Sequence, residues 1–196
     1  MESPRGITRV ILVVLDGLRA DATALFALPN IGALARGGSA TWGAHTVQPS
    51  ITAAAMTSLL TGVSPQVHGI VSDQFGLPRR SESLVLLPRL LHAHGIPVHA
   101  FLHAVPRVYR GVAARVGARV GAAIHCGGSS AAEILAAAVP VLRRERRGLH
   151  FLHWPDADRA GHAHGWTSPA YAAAARRLDA ALGALIRMTD VVDDPS

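Results

Sequence analysis

The stretch ITRVILVVL, residues 7–15, indicates the fold because it ends in an uninterrupted run of apolar, mostly β-branched side chains. Such a run is typical of a strand that is buried on both faces of a parallel sheet. Working outward, two more strands are predicted at 97–104 and 149–154. Helices are predicted at 29–36, 52–61, 81–94, 131–147 and 168–188. Strands that alternate with helices predict an α/β fold with a mainly parallel central sheet flanked by helices.

Proline and glycine refine this prediction. Pro88 and Pro140 fall inside predicted helices, where each is expected to produce a kink. The segment 127–130 is expected to be a loop that caps the next helix. No repeat or linker interrupts the chain, so residues 1–196 are predicted to form a single domain.

Composition excludes several classes of protein. A chain of 196 residues that is 49% hydrophobic buries a core, which excludes a disordered protein. Cys126 is the only cysteine, which excludes a disulfide scaffold. No apolar run is long enough to cross a membrane, and the first run is interrupted by Asp16 without a cleavage site. We therefore expect a cytoplasmic protein with no membrane partner.

The net charge of +6 would suit a nucleic-acid binder, but the basic residues argue against one. All 19 are arginine, which suggests coding bias, and the dense cluster at 143–147 closes a predicted helix, where cations suit the helix dipole. We expect no nucleic-acid partner; the alternative predicts DNA binding that weakens steeply with salt.

Three polar segments follow predicted strands or begin predicted helices. Asp16 follows the first strand, and Thr52 lies at the start of the predicted helix at 52–61, which is rich in small residues. Asp158 and His162 form a D-x-x-x-H pattern after the strand at 149–154. Each alone is common as a turn, cap or surface residue. Because ligands bind beyond the carboxyl ends of parallel strands, together they predict a site. Carboxylate and imidazole donors suit Zn²⁺ or a similar divalent ion, and a metal beside a threonine hydroxyl lowers the pKa of that hydroxyl enough to make it a nucleophile.

These residues resemble the alkaline phosphatase superfamily, in its type I phosphodiesterase/nucleotide pyrophosphatase branch. The resemblance spans about residues 8–190 and rests on five blocks: 10–21, 29–31, 49–52, 60–70 and 155–165. It implies an alkaline-phosphatase-like core and metal-dependent hydrolysis of phosphate esters, with a small phosphate-ester or nucleotide-like substrate.

The resemblance also assigns roles to single residues. It implies two zinc ions, with Asp16 on one ion, Asp158 and His162 on the other, and the catalytic Thr52 bridging both. Asp156 competes with Asp158, but only Asp158 has the four-residue step to His162.

Two departures from the family pattern stand out. Asp73 occupies the substrate-binding position where the family places an asparagine, and an ionised carboxylate cannot donate a hydrogen bond to phosphate. The family completes its metal sites with a downstream Asp-His pair and a final histidine, for which this sequence shows no counterpart. We therefore expect an incomplete core that is the N-terminal part of a longer catalytic domain. The alternative is a truncated non-catalytic member or a half-domain completed by another chain. Assembly of this chain into a homo-oligomer is a further possibility that the sequence leaves open.

The other histidines are expected to have core or surface roles. His68 is interpreted as a structural part of its turn, and His153 as one of the strand histidines without ligand spacing. His164 is an alternative to His162.

Overall fold

The computed structural model describes residues 8–72, 84–104, 108 and 110–189. Its four strands are β1 (Arg9–Leu15), β2 (Val98–His103), β3 (Ala123–Gly128) and β4 (Gly148–Trp154). They form one sheet in the order β1-β4-β2-β3, and every pair is parallel. The predicted α/β fold with a parallel sheet is confirmed.

Nine helices connect and cover the strands in the part of the chain that the structure describes. They are α1 (Ala22–Leu25), α2 (Pro29–Gly37), α3 (Thr52–Thr61), α4 (Pro65–His68), α5 (Leu87–Ala93), α6 (Arg110–Val120), α7 (Ala131–Arg144), α8 (Asp156–His164) and α9 (Pro169–Thr189). None of these described helices combines the length and the apolar character that a membrane span requires.

The core lies between one face of the sheet and the pair α7 and α9. The sheet contributes the buried side chains of Phe101, Leu152 and Trp154 to this core. The helices contribute those of Ile134 and Leu178. Because side chains alternate along a strand, only every second residue of β2 and β4 enters this core. The core therefore fixes the register of the strands that carry the polar residues at their ends.

Among the described strands, β1 lies at one edge of the sheet. All seven of its residues pair in register with β4, from Arg9 with Gly148 to Leu15 with Trp154. Gly148 donates to the carbonyl of Thr8, and Asp16 donates to the carbonyl of Trp154. In a parallel ladder this makes the even-numbered amides of β1 face β4 and leaves the odd-numbered amides on the open side.

Five elements were missed by the sequence prediction: β3, α6, α8 and the two four-residue helices α1 and α4. Strand β3 contains Gly127 and Gly128, which were predicted as a loop; a side chain at Gly127 would collide with Ala137 of α7. Ser130 caps α7 as predicted, since its hydroxyl accepts a bond from the Glu133 amide at 3.4 Å.

The predicted kink at Pro88 is wrong. Helix α5 begins at Leu87, so Pro88 lies in its first turn, where the missing amide proton costs no helical hydrogen bond. Pro140 does lie inside α7, which continues to Arg144.

Candidate active site

The site lies beyond the carboxyl ends of β1 and β4, where their main chains are joined by hydrogen bonds. The Asp158 amide donates to the Asp16 carbonyl at 3.0 Å, and the Asp16 amide donates to the Trp154 carbonyl at 3.0 Å. Gly17 has φ +69°, and a Cβ there would lie 2.5 Å from Asp158 Cα. Only glycine allows this close approach without strain. The two aspartates predicted from sequence are thus brought together by the backbone.

Thr52 is the first residue of α3, and its side chain does not cap the helix. Ile51 occupies the N-cap position, and the Thr52 hydroxyl instead donates to Asp16 Oδ2 at 3.2 Å. The positive end of the α3 dipole favours negative charge at this position. The structure therefore joins Thr52 to Asp16, as the sequence predicted.

His153 is a site residue that the sequence analysis missed. Its Nε2 lies 3.0 Å from Asp16 Oδ2, the same oxygen that Thr52 contacts, and the residue is 7% exposed. Burial alone would raise the pKa of Asp16, but His153 and then Thr52 outweigh it and hold this pKa below its ordinary value. The signal available in the sequence was the position of His153 one residue before the end of its predicted strand, whereas its register with Val14 of β1 is known only from the structure.

Asp158 and His162 lie on helix α8 and not on a surface loop. Their side chains are one helical turn apart, with His162 Nε2 3.4 Å from Asp158 Oδ1. Burial, and then the nearby charge of Asp16, raise the pKa of Asp158. The His162 side chain is 73% exposed and packs edge-on against Trp166.

The competing carboxylate, Asp156, points elsewhere. Its Oδ2 accepts a hydrogen bond from the Ala131 amide at 2.8 Å, at the first turn of α7. Asp156 therefore has a structural contact at the start of α7 and no bond to Asp16 or Thr52 among the described residues. Asp73 lies outside the described residues.

Four of the remaining histidines, His68, His99, His125 and His150, have contacts typical of a structural role. His68 is buried, meets Ser58 Oγ at 3.0 Å and accepts from the Ile70 amide at 3.1 Å, which agrees with its predicted role in the turn. His99 stacks between His125 and His150 on three neighbouring strands, with ring centroids 5.5 and 5.4 Å away.

The donor types of the site suit zinc. Two carboxylates, two imidazoles and a hydroxyl are available. Burial is the main cause of the raised pKa of Asp158, and repulsion by the charge of Asp16 is the second. A cation between them would relieve this repulsion. Within the described residues, however, no three His, Cys, Asp or Glu side chains are gathered closely enough to hold a metal ion. The site fits zinc in the kind of donors and falls short in their number.

A parallel sheet with a carboxylate and a helix-terminal threonine at its carboxyl edge defines the class: the chain is an α/β protein with an alkaline-phosphatase-like core. It belongs to the type I phosphodiesterase/nucleotide pyrophosphatase family, whose model matches residues 10–86 and 112–191. A comparison with curated protein sequences gave no match.

Solved structures agree on the fold. Murine ectonucleotide pyrophosphatase/phosphodiesterase 5, as an inactive variant in complex with AMP, is similar with a TM-score of 0.75 and 19% identity, covering 95% of this chain and 53% of that one. The C-terminal periplasmic domain of EptC from Escherichia coli, in complex with zinc, is similar with a TM-score of 0.68 and 14% identity, covering 98% of this chain and 62% of that one. Phosphonoacetate hydrolase from Sinorhizobium meliloti, in complex with phosphonoformate, is similar with a TM-score of 0.59 and 18% identity, covering 94% of this chain and 54% of that one. The chain therefore spans little more than half the length of these structures.

Proposed function

We propose that the site is the nucleophile centre of a zinc-dependent hydrolase that cleaves small phosphate esters of the phosphodiester or nucleotide type. The observation that carries this proposal is the 3.2 Å contact of the Thr52 hydroxyl with Asp16 at the start of α3. Family membership and the AMP and phosphonate complexes of similar proteins support the substrate class.

Thr52 is the nucleophile in this proposal. Its hydroxyl loses its proton to solvent, and its oxygen forms a bond to phosphorus as the bond to the leaving oxygen breaks. Water then hydrolyses the phosphothreonine, which releases the phosphoryl product and restores the hydroxyl. Asp16 has a lowered pKa, so it stays ionised at neutral pH and orients the hydroxyl as an acceptor. The helix α3 terminus favours the negative charge that develops nearby.

Zinc binding is part of this proposal. Asp16 and Thr52 would hold one ion, and Thr52, Asp158 and His162 the other. A bound zinc ion supplies positive charge that lowers the pKa of the hydroxyl and neutralises phosphoryl oxygens. The exposed His162 can turn toward a ligand without disturbing the core. Asp73 is proposed as a substrate contact.

The test is hydrolysis of bis(p-nitrophenyl) phosphate by the purified chain with zinc, with Thr52→Ala beside the wild type. We expect the variant to fall to the background rate, because no other hydroxyl is bonded to Asp16 among the described residues. Thr57→Ala is the matched control, since Thr57 lies in the same helix and its hydroxyl donates to the Ala53 carbonyl rather than to a site residue. A Thr52→Ala variant with the wild-type rate would refute the mechanism.

A second candidate is a half-domain that another chain completes, and the open edge of β1 favours it. Val10 is 49% exposed. An apolar groove of about 280 Å³ lies beside Ile11 and Val13, and one of about 380 Å³ lies beside Val10. Because neighbouring side chains of a strand point to opposite faces, the grooves flank both sides of β1. An exposed apolar edge of this kind is suited to pairing with a further strand.

Hydrogen exchange of the purified chain tests this second candidate. The amides of Ile11 and Val13 face the open edge, whereas those of Leu12 and Val14 face β4. We expect the first pair to exchange much faster than the second. Equal protection of both pairs at a concentration where the chain is oligomeric would show instead that copies of the chain cover the edge themselves.

A further inference from the structure

We propose that His153 is a metal ligand, and that its Nε2 binds the same zinc ion as Asp16 and Thr52. This inference rests on the proposed function, since it concerns the ion that the proposed hydrolase would use. It adds a donor that supplements the small ligand set implied by the family pattern.

The spacing of three donor atoms carries the inference. His153 Nε2 lies 3.0 Å from Asp16 Oδ2, and Thr52 Oγ1 lies 3.2 Å from the same oxygen. Zinc binds nitrogen and oxygen ligands at about 2.0–2.1 Å in a tetrahedral arrangement, which separates neighbouring ligand atoms by roughly 3.3 Å. Both measured distances are close to that separation. Two of the three donor-atom separations that such a coordination shell requires are therefore present in the structure.

The fold supplies this arrangement without a flexible loop. His153 is paired in register with Val14 of β1, and Asp16 follows Val14 by two residues. Side chains two apart point to the same side of an extended chain, so Asp16 continues on the side of the sheet that His153 occupies. The His153 residue is 7% exposed, which holds its ring in place before any ligand arrives.

A simple hydrogen bond to Asp16 is the competing role for His153. The two roles differ in what they require of the side chain. A ligand needs the lone pair of an imidazole nitrogen, whereas a hydrogen-bond donor needs only an N–H group at that position. Glutamine can place an amide N–H near the position of Nε2 but is a poor zinc ligand, so it separates the roles.

Zinc affinity is measured by competition with a chromophoric chelator for the wild type, His153→Ala, His153→Gln and His103→Gln. His103→Gln is the matched control because His103 is the exposed last residue of β2, and no hydrogen bond joins it to Asp16 in the described structure. We expect affinity to fall at least about tenfold in both His153 variants and to be unchanged in the control. Wild-type affinity in His153→Gln or in His153→Ala overturns the inference.

X-ray absorption of bound zinc tests the same inference without substituting the buried His153, so its result does not depend on whether the His153 variants fold. In His162→Ala/His164→Ala, both exposed histidines of α8 are removed while β4 is untouched. We expect one imidazole to remain on zinc, and its absence overturns the inference. If the wild type binds zinc and His153→Ala binds it with the same affinity, this inference alone is refuted. A wild type that binds no zinc refutes it together with the proposed zinc dependence.

Discussion

Replacing Gly17 by alanine tests the close packing on which the site depends. The new Cβ would lie 2.5 Å from Asp158 Cα and 2.7 Å from its amide nitrogen. Carbon atoms normally approach to about 3.5–4.0 Å, so the start of α8 must move by roughly 1 Å. Overpacking of this kind costs about 1–3 kcal/mol, and an alanine at φ +69° costs about 1–2 kcal/mol more. We expect a total loss of about 2–5 kcal/mol.

Thermal unfolding provides the measurement for Gly17→Ala. In a chain of this length each kcal/mol lowers the Tm by about 2–4 °C, so a decrease of roughly 4–20 °C is expected. Gly62→Ala is the matched control, because Gly62 has φ +72° but nothing within 4 Å of an added Cβ. It isolates the backbone cost, about 1–2 kcal/mol. Equal Tm values for the two variants would refute the close approach of Gly17 to Asp158.

Two further predictions concern stability. Asp179 is 3% exposed, and its carboxylate accepts hydrogen bonds from the backbone amides of Asn30 and Ile31 at 3.2 and 2.9 Å. Asp179→Ala should therefore lower the free energy of unfolding, measured in urea, by about 1–3 kcal/mol. Asp179→Asn should lower it by less, because the amide oxygen can still accept a hydrogen bond. An Ala variant as stable as the wild type would contradict this role. Burial, then the nearby His99 and Arg9, lower the pKa of His150 to about 4. Below pH 6.5 the unfolded chain therefore binds a proton that the folded chain does not, and stability falls as the pH approaches 4. His150→Phe should reduce the loss of unfolding free energy between pH 7 and pH 5 by about 2 kcal/mol, and an unchanged loss would contradict the assignment.

Local patterns were enough to predict the elements whose stability comes from their own sequence. The apolar run of β1 and the capped helix α7 were both found in this way. Strand β3 was missed because its glycines are explained only by the approach of α7. Helix α8 was missed because Gly161 is tolerated there through packing against Trp166, which the local sequence does not reveal.

The site was predicted in part for the same reason. Asp16 and Thr52 stand at element ends that the sequence marks, and the structure joins them. His153 was missed because its contact with Asp16 depends on β1 pairing with β4. That pairing skips two intervening strands, and no local pattern encodes the strand order. A histidine inside a strand is not recognisable as a site residue until its neighbouring strand is known.

The pairing of the first strand with the last described strand also sets the order of events during synthesis. His153 follows Asp16 by 137 residues. At about 5–20 residues per second, β1 leaves the ribosome roughly 7–27 s before its partner exists. Throughout that interval β1 has not yet met β4, the strand with which it pairs, so its apolar edge stays exposed. The two sides of the site meet only after β4 and α8 emerge.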